Sequence, residues 1–205
     1  MTDRRPAIVV LAAGQGARFK GPGHKLEQSI GPDERALLGS TLQHAIETGL
    51  RVVVVTKPEL APLALGQLAP RDVVLMPPGG PVGMGHSIAA GVGAAGDAEG
   101  WLIQPGDMPL IQSDTMLAVV RALDQFPIAF AQYRGRRGHP VGFSAEFYSE
   151  LLELSGDEGA RRLVARYPAQ PVEVEDAGVL VDVDTLDDLA RVRGSLAAFS
   201  PAASR

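Results

Sequence analysis

Short runs of β-branched and aliphatic residues recur along the chain at 7–12 (AIVVLA), 51–56 (RVVVVT), 73–76, 101–104, 128–132 and 179–183. They lack the apolar/polar alternation of a half-exposed strand, so they read as strands buried on both faces. Between them, amphipathic or alanine-rich stretches predict helices over 40–48, 85–95, 113–126, 145–154, 156–167 and 185–196. Ser113 is placed to N-cap one of these, with Leu117, Val120 and Leu123 as its apolar stripe. Residues 133–138 read as a turn between two strands, the second at 139–143. This alternation predicts an α/β fold, a single domain with a mostly parallel β-sheet and helices on both faces. The expected domain is 1–198, followed by a frayed tail at 199–205.

Composition narrows the function. Of 205 residues, 45% are hydrophobic and 21% charged, enough apolar surface for one sizeable core. The 24 glycines and 16 prolines are a high share, yet below the level at which disorder is the default. With no cysteine, disulfide frameworks, thiolate zinc sites and cysteine nucleophiles drop out, which suits a cytoplasmic protein. The apolar run at 7–13 is too short for a secretory signal, and no stretch reaches the ~20 residues of a membrane span. A net charge of −5 with one Trp and three Tyr argues against a nucleic-acid partner.

The most informative segment directly follows the first predicted strand. Leu11-Ala12-Ala13-Gly14-Gln15-Gly16-Ala17-Arg18-Phe19-Lys20-Gly21-Pro22-Gly23-His24-Lys25-Leu26 places four glycines among three cations, Arg18, Lys20 and Lys25. Free backbone N–H groups beside positive charge are what a polyphosphate needs, and ligands of α/β sheets sit beyond the carboxyl ends of the strands. A Walker loop is ruled out because Leu26 follows Lys25. A dinucleotide fingerprint fails because Phe19 stands where the third glycine belongs. Gly91-Val92-Gly93-Ala94-Ala95-Gly96 has that spacing but follows a helical stretch, and reads as a small-residue helix end.

With its glycine-bracketed lysine, this loop resembles the signature of the MobA-like nucleotidyltransferases, the group that includes molybdenum cofactor cytidylyltransferase and guanylyltransferase. Five more segments fall in that family's order: 83–88 (GMGHSI), 105–109 (PGDMP), 137–143 (RGHPVGF), 156–160 (GDEGA) and 182–185 (DVDT). The resemblance implies Lys25, Arg18 and Asp107 at the reacting centre. It implies a nucleotide held by Leu11, Ala12, Ala13, Gly14, Gln15, Gly16, Lys25, Gly80 and Ser87. Asp107 and Asp184 are implied as ligands of Mg²⁺, which takes one or two protein carboxylates plus substrate phosphates, with Asp182 as a fallback. Read from the residues alone, Asp107 is a turn residue after Pro-Gly, Asp184 a helix N-cap and Ser87 a helix cap. Asp157 likewise reads as lying near a helix cap, although in the family its segment closes over the acceptor. Arg137 and His139 fall on the implied acceptor side.

The expected reaction is transfer of CMP from CTP to the phosphate of molybdopterin, with pyrophosphate released. Such a phosphate, whose second pKa is about 6, needs charge screening and in-line alignment more than a general base. The choice of CTP rests on Ala13, since the cytidylyl members read Leu-Ala-Ala-Gly and the guanylyl members Leu-Ala-Gly-Gly. GTP, a sugar- or polyol-phosphate acceptor, and a non-catalytic cofactor carrier are the alternatives. Length weighs against the sugar-nucleotide option, because many such enzymes carry an extra domain. Delivery of a labile cofactor implies transient contact with a molybdenum hydroxylase apo-enzyme. The six residues between Arg18 and Lys25, FKGPGH, exceed the family's usual spacing.

Overall fold

The computed structural model describes residues 5–31, 33–80 and 83–199. Strands β1 (Ala7–Ala12), β2 (Arg51–Thr56) and β3 (Val73–Leu75) and helix α1 (Leu37–Glu47) build the first part of the sheet, with the short helix α2 (Ala61–Leu65) between β2 and β3. Helix α3 (Met84–Ala94) leads to β4 (Gly100–Pro105), and α4 (Ser113–Ala122) to the hairpin β5 (Ile128–Tyr133) and β6 (Arg136–Ser144). After α5 (Tyr148–Leu152) and α6 (Arg161–Arg166) come β7 (Gln170–Glu173) and α7 (Leu186–Phe199).

These strands form one sheet in the order β3-β2-β1-β4-β6-β5-β7. Pairing is parallel except at β6, which runs antiparallel to both β4 and β5. Strand period sorts the side chains into two cores. Ile8, Val10, Val54 and Leu102 face α1, α4 and α7, where Leu38, Leu42, Met116, Leu189 and Val192 meet them. Val9, Val53, Trp101, Ile103 and Phe143 face α3, α5 and α6 through Ile88, Val92, Leu151 and Leu163. Both faces are therefore covered, which accounts for the unbroken apolar runs. Gly91 lets α3 lie on the sheet, since a Cβ there would overlap Val9 Cγ1.

Several elements depart from the sequence reading. Residues 179–183 form no strand: Ala177–Leu180 is a 3-10 turn, and Val183 N–H donates to the Asp107 carbonyl at 3.0 Å. The segment is apolar because it packs over the connection after β4, not because it joins the ladder. The helix expected from 156 starts at Arg161, because Gly156 and Gly159 take positive φ of 67° and 57°. Ser113 is the first helical residue of α4, not its cap; Asp176 Oδ2 accepts from Gln112 N–H at 2.9 Å and from the Thr115 hydroxyl at 2.7 Å. Met116 and Val119 are the fully buried pair of α4, with Leu117, Val120 and Leu123 half-buried beside them. The hairpin turn is only Arg134-Gly135, both at positive φ (49° and 73°), the geometry of a tight two-residue connection. Strand β7 and helix α2 were missed, the first being a short edge strand carrying Pro171 and Glu173. Helix α7 continues to Phe199, and the expected tail from 200 onward lies outside the described residues.

Candidate active site

The loop leaving β1 turns at Gly16, whose φ of +62° favours glycine, and is closed by Phe19 N–H donating to Gly16 O at 2.9 Å. Phe19 anchors the loop in the core. At Gly14 a Cβ would meet nothing within 4 Å, so packing alone does not demand glycine there. The loop ends in a 3-10 turn, Lys25–Glu27, that carries the Lys25 side chain inward.

Lys25 Nζ lies 2.7 Å from Asp107 Oδ2 and 2.8 Å from Asp184 Oδ1. Burial works against its charge, but the fields and hydrogen bonds of Asp107 and Asp184 outweigh it and hold the ammonium above its ordinary value. Arg18, largely exposed, reaches Asp184 Oδ2 at 2.6 Å. Burial would raise the Asp184 carboxyl, yet Lys25, then a hydrogen bond with Asp182, then the Arg18 charge hold it below the usual range. Asp182, pushed up by burial and by the Asp184 carboxylate beside it, is the more easily protonated of the two.

Each acid is placed by its own local device. Gly106 N–H donates to Leu11 O at 2.8 Å, so near that a Cβ on Gly106 would stand 2.8 Å from the same oxygen. The Thr41 hydroxyl donates to Gly106 O at 3.0 Å. Asp107 is thereby held beside the end of β1. Asp184 does not cap α7: Thr185 does, exchanging bonds with Asp188 at 3.2 Å and 2.9 Å in a capping-box arrangement. That leaves the Asp184 carboxylate to Lys25, Arg18 and the neighbouring Asp182. Ser87 is not a cap either. It lies within the first turn of α3, after Gly83, and its hydroxyl donates back to Gly83 O at 3.4 Å.

Two cavities open on this centre. The larger, about 1090 Å³, is lined by Leu11, Ala13, Gly14, Gln15, Gly16, Gly80, Ser87, Asp107, Asp182, Arg137 and His139, among others. The smaller, about 240 Å³, is lined by Ala12, Lys25 and Asp184 and shares Leu11, Gly14, Gly16, Ala17, Arg18 and Asp107 with the first. The sites implied for nucleotide, metal and acceptor thus lie around one connected space.

Its far wall begins β6. Val141 pairs with Ile103, so His139 and Arg137 run past the end of β4 toward Asp107. The Arg137 guanidinium stacks 4.7 Å over Phe130, with burial and then Arg161 opposing its charge. Burial, and then the Arg137 charge, bring His139 down to about 4, so the ring is neutral near pH 7, and its buried Nδ1 has no partner. Sequence reasoning missed Lys57 and Glu59, which follow β2 and line the larger cavity. Their position beyond a strand's carboxyl end was the available signal. Asp157, expected near a helix cap, also lines this cavity, and its loop is tied to α3 by Gly85 N–H donating to Gly156 O at 2.8 Å.

A sheet rim with a glycine loop, a buried lysine and two converging carboxylates is the arrangement the resemblance to nucleotidyltransferases implies. Residues 8–172 match the MobA-like NTP transferase domain, and the chain belongs to that family. It is 35% identical over 119 residues to the purine catabolism protein PucB of Bacillus subtilis, a match covering 56% of this chain and 58% of PucB. The chain thus spans less than two thirds of that relative's length. Among solved structures, a homolog of Mycobacterium tuberculosis Rv0371c from Mycobacterium sp. strain JC1 superposes with a TM-score of 0.78 at 28% identity, covering 96% of this chain and 98% of that one. Rv0371c itself, in complex with manganese, gives 0.72 at 28% identity, covering 94% and 100%. Among the described residues, no helix is long and apolar enough to cross a membrane.

Proposed function

We propose that the protein transfers CMP from CTP to the phosphate of molybdopterin, releasing pyrophosphate. The observation that carries this reading is the cluster of Lys25, Asp107 and Asp184: all three line the smaller cavity, and Asp107 also lines the larger one, where the candidate nucleotide and acceptor residues lie. Gly14 supports it: packing alone leaves this position free to carry a side chain, so its glycine suits close approach of a ligand's phosphates. The likeness to a purine catabolism protein agrees with service to a purine-oxidising molybdenum hydroxylase.

Asp107 and Asp184 also fit a hard divalent cation. Lys25 engages one oxygen of each, Asp107 Oδ2 and Asp184 Oδ1, so a cation beside it would use the other two, and both groups offer only oxygen donors. Rv0371c complexed with manganese is a relevant parallel. Mg²⁺ bound there would neutralise the triphosphate and the leaving pyrophosphate. The chain's own cations share that work. Arg18 is exposed and bound to Asp184 through a single oxygen, so it is free to exchange that carboxylate for a phosphate. Lys25, buried and charged, stays to screen the incoming phosphate from the triphosphate. Neutral His139 and the Arg137 guanidinium face the acceptor's space, where they hold and orient it.

The test is pyrophosphate release with CTP, GTP, ATP and UTP, each with and without molybdopterin. CTP with molybdopterin is expected to give the fastest release. A preference for GTP, or release only with a sugar or polyol phosphate, would overturn the assignment while leaving nucleotidyl transfer in place. Tight cofactor binding with no release from any nucleotide would identify a carrier.

A further inference from the structure

The long segment between Arg18 and Lys25 ends in an imidazole with both nitrogens engaged. His24 caps the 3-10 turn that carries Lys25: its Nδ1 accepts from Leu26 N–H at 3.2 Å, and its backbone N–H donates to Glu27 Oε2 at 2.8 Å. Its Nε2 lies 3.1 Å from the Gly14 carbonyl oxygen. A backbone N–H can only donate and a carbonyl can only accept, so Nδ1 is bare and Nε2 carries the proton. The ring is the neutral Nε2–H tautomer. One side chain thus joins the loop leaving β1 to the turn bearing Lys25. Gly16 keeps the joint closed, since a Cβ there would stand 3.3 Å from Nε2 and 3.6 Å from Lys25 Cγ. The Gln28 side-chain amide braces the same segment, donating to Pro22 O at 2.7 Å.

We propose that His24 is a positioning residue that locks the glycine loop to Lys25, so that the triphosphate cradle and the reacting-centre cation keep a fixed relation. The proposal rests on the reading of Gly14–Gly16 as that cradle. Because the peptide unit is planar and trans, fixing the Gly14 carbonyl also fixes the opposite direction of the Gln15 N–H. Gly14, Gln15 and Gly16 all line the larger cavity. The clamp therefore orients an N–H donor of the cavity wall and sets the lysine from the same ring.

Two substitutions separate the two bonds. Asparagine supplies an acceptor where Nδ1 stands but cannot reach Gly14, whereas glutamine carries an N–H out to the position of Nε2 and gives up the cap. Binding of CTP without acceptor is measured by calorimetry, beside steady-state kinetics and melting. For His24→Asn, CTP affinity is expected to fall about tenfold, the loss of one hydrogen bond, with the acceptor KM and melting temperature nearly unchanged. For His24→Gln, CTP affinity is expected to recover most of that loss while the melting temperature falls. Imidazole ¹⁵N shifts should report the Nε2–H tautomer. Equal CTP affinity in wild type and both variants, losses that simply track melting temperature, or an Nδ1–H ring would each overturn the clamp. If the unaltered protein binds no nucleoside triphosphate, the cradle reading itself fails, and the clamp with it.

Discussion

The two walls of the large cavity are built from different materials. On the side of β3, β2 and β1 the wall is rich in glycine, Gly14, Gly16, Gly79 and Gly80, with Lys57 and Glu59 beside them. On the side of β6 it is side chains, Arg136, Arg137 and His139, mounted on a strand whose Gly138 is jammed against Val179. Backbone amides suit a group common to many substrates, such as a triphosphate, because they recognise charge and leave the rest unread. Side chains on a rigid strand suit a feature that distinguishes one acceptor from another. Asp107 stands between the walls, with Lys25 and Asp184 bonded to each other behind it in the smaller cavity.

The largest effect should come from the shared centre. Lys25→Ala should lower pyrophosphate release by about 10³-fold, the scale for losing a preorganised charge at a developing anion. Near wild-type turnover would show that the cluster is structural and the comparison of walls has no centre.

Next is acid sensitivity in the mildly acidic range, which belongs to His139 in the side-chain wall. His139 is held at about 4 in the folded protein against 6.5 in the unfolded chain, so between those values the unfolded chain binds more protons. Stability contributed by the neutral ring is complete above pH 6.5 and is lost as pH falls through 4, a change of about 3 kcal/mol. Denaturant titrations should show this slope in wild type and a flatter one in His139→Gln. Asp184, whose pKa is lowered, gives up its contribution at still lower pH, so the two can be told apart. Matching slopes would place the ring in open water.

Gly138→Ala should cost about 2 kcal/mol, since the new Cβ would overlap the Val179 carbonyl and overpacking of this kind cannot relax cheaply. Chemical denaturation measures it; an unchanged midpoint would mean that β6 is not pinned. Smallest of all, Arg137→Ala should raise the acceptor KM about tenfold, one charge-assisted hydrogen bond, and leave the CTP KM alone. A rise in the CTP KM instead would erase the division of labour between the walls.

The glycines of the first wall were legible in the sequence and the charged residues beside them much less so, for a physical reason. Four glycines after an apolar run announce a loop by composition, and strands buried on both faces announce themselves by losing their alternation, as β1 and β2 do. Nothing local marks Lys57, Glu59 or Asp157 as cavity residues, because their significance comes from how connections separated in sequence converge at the rim. Asp184 illustrates the limit. Beside Thr185, both a cap and a ligand were reasonable readings, and only the Thr185–Asp188 exchange shows that capping is done without it. The apolar run at 179–183 misled for a related reason, since burial under a loop and burial in a sheet leave the same residues behind.

The tight Arg134-Gly135 turn has a consequence for how such proteins diversify. It sets the pairing of β5 and β6 at the tip, Tyr133 opposite Arg136 and Gln132 opposite Arg137, while the root keeps its own register, Ile128 opposite Phe143, across an irregularity between Phe130 and Gln132. Lengthening that tip by two residues could advance new side chains into the cavity while every core residue keeps its face, whereas a shift of one would turn the strand inside out. The hairpin is thus a replaceable reading head, able to change what it recognises without disturbing the rest of the sheet.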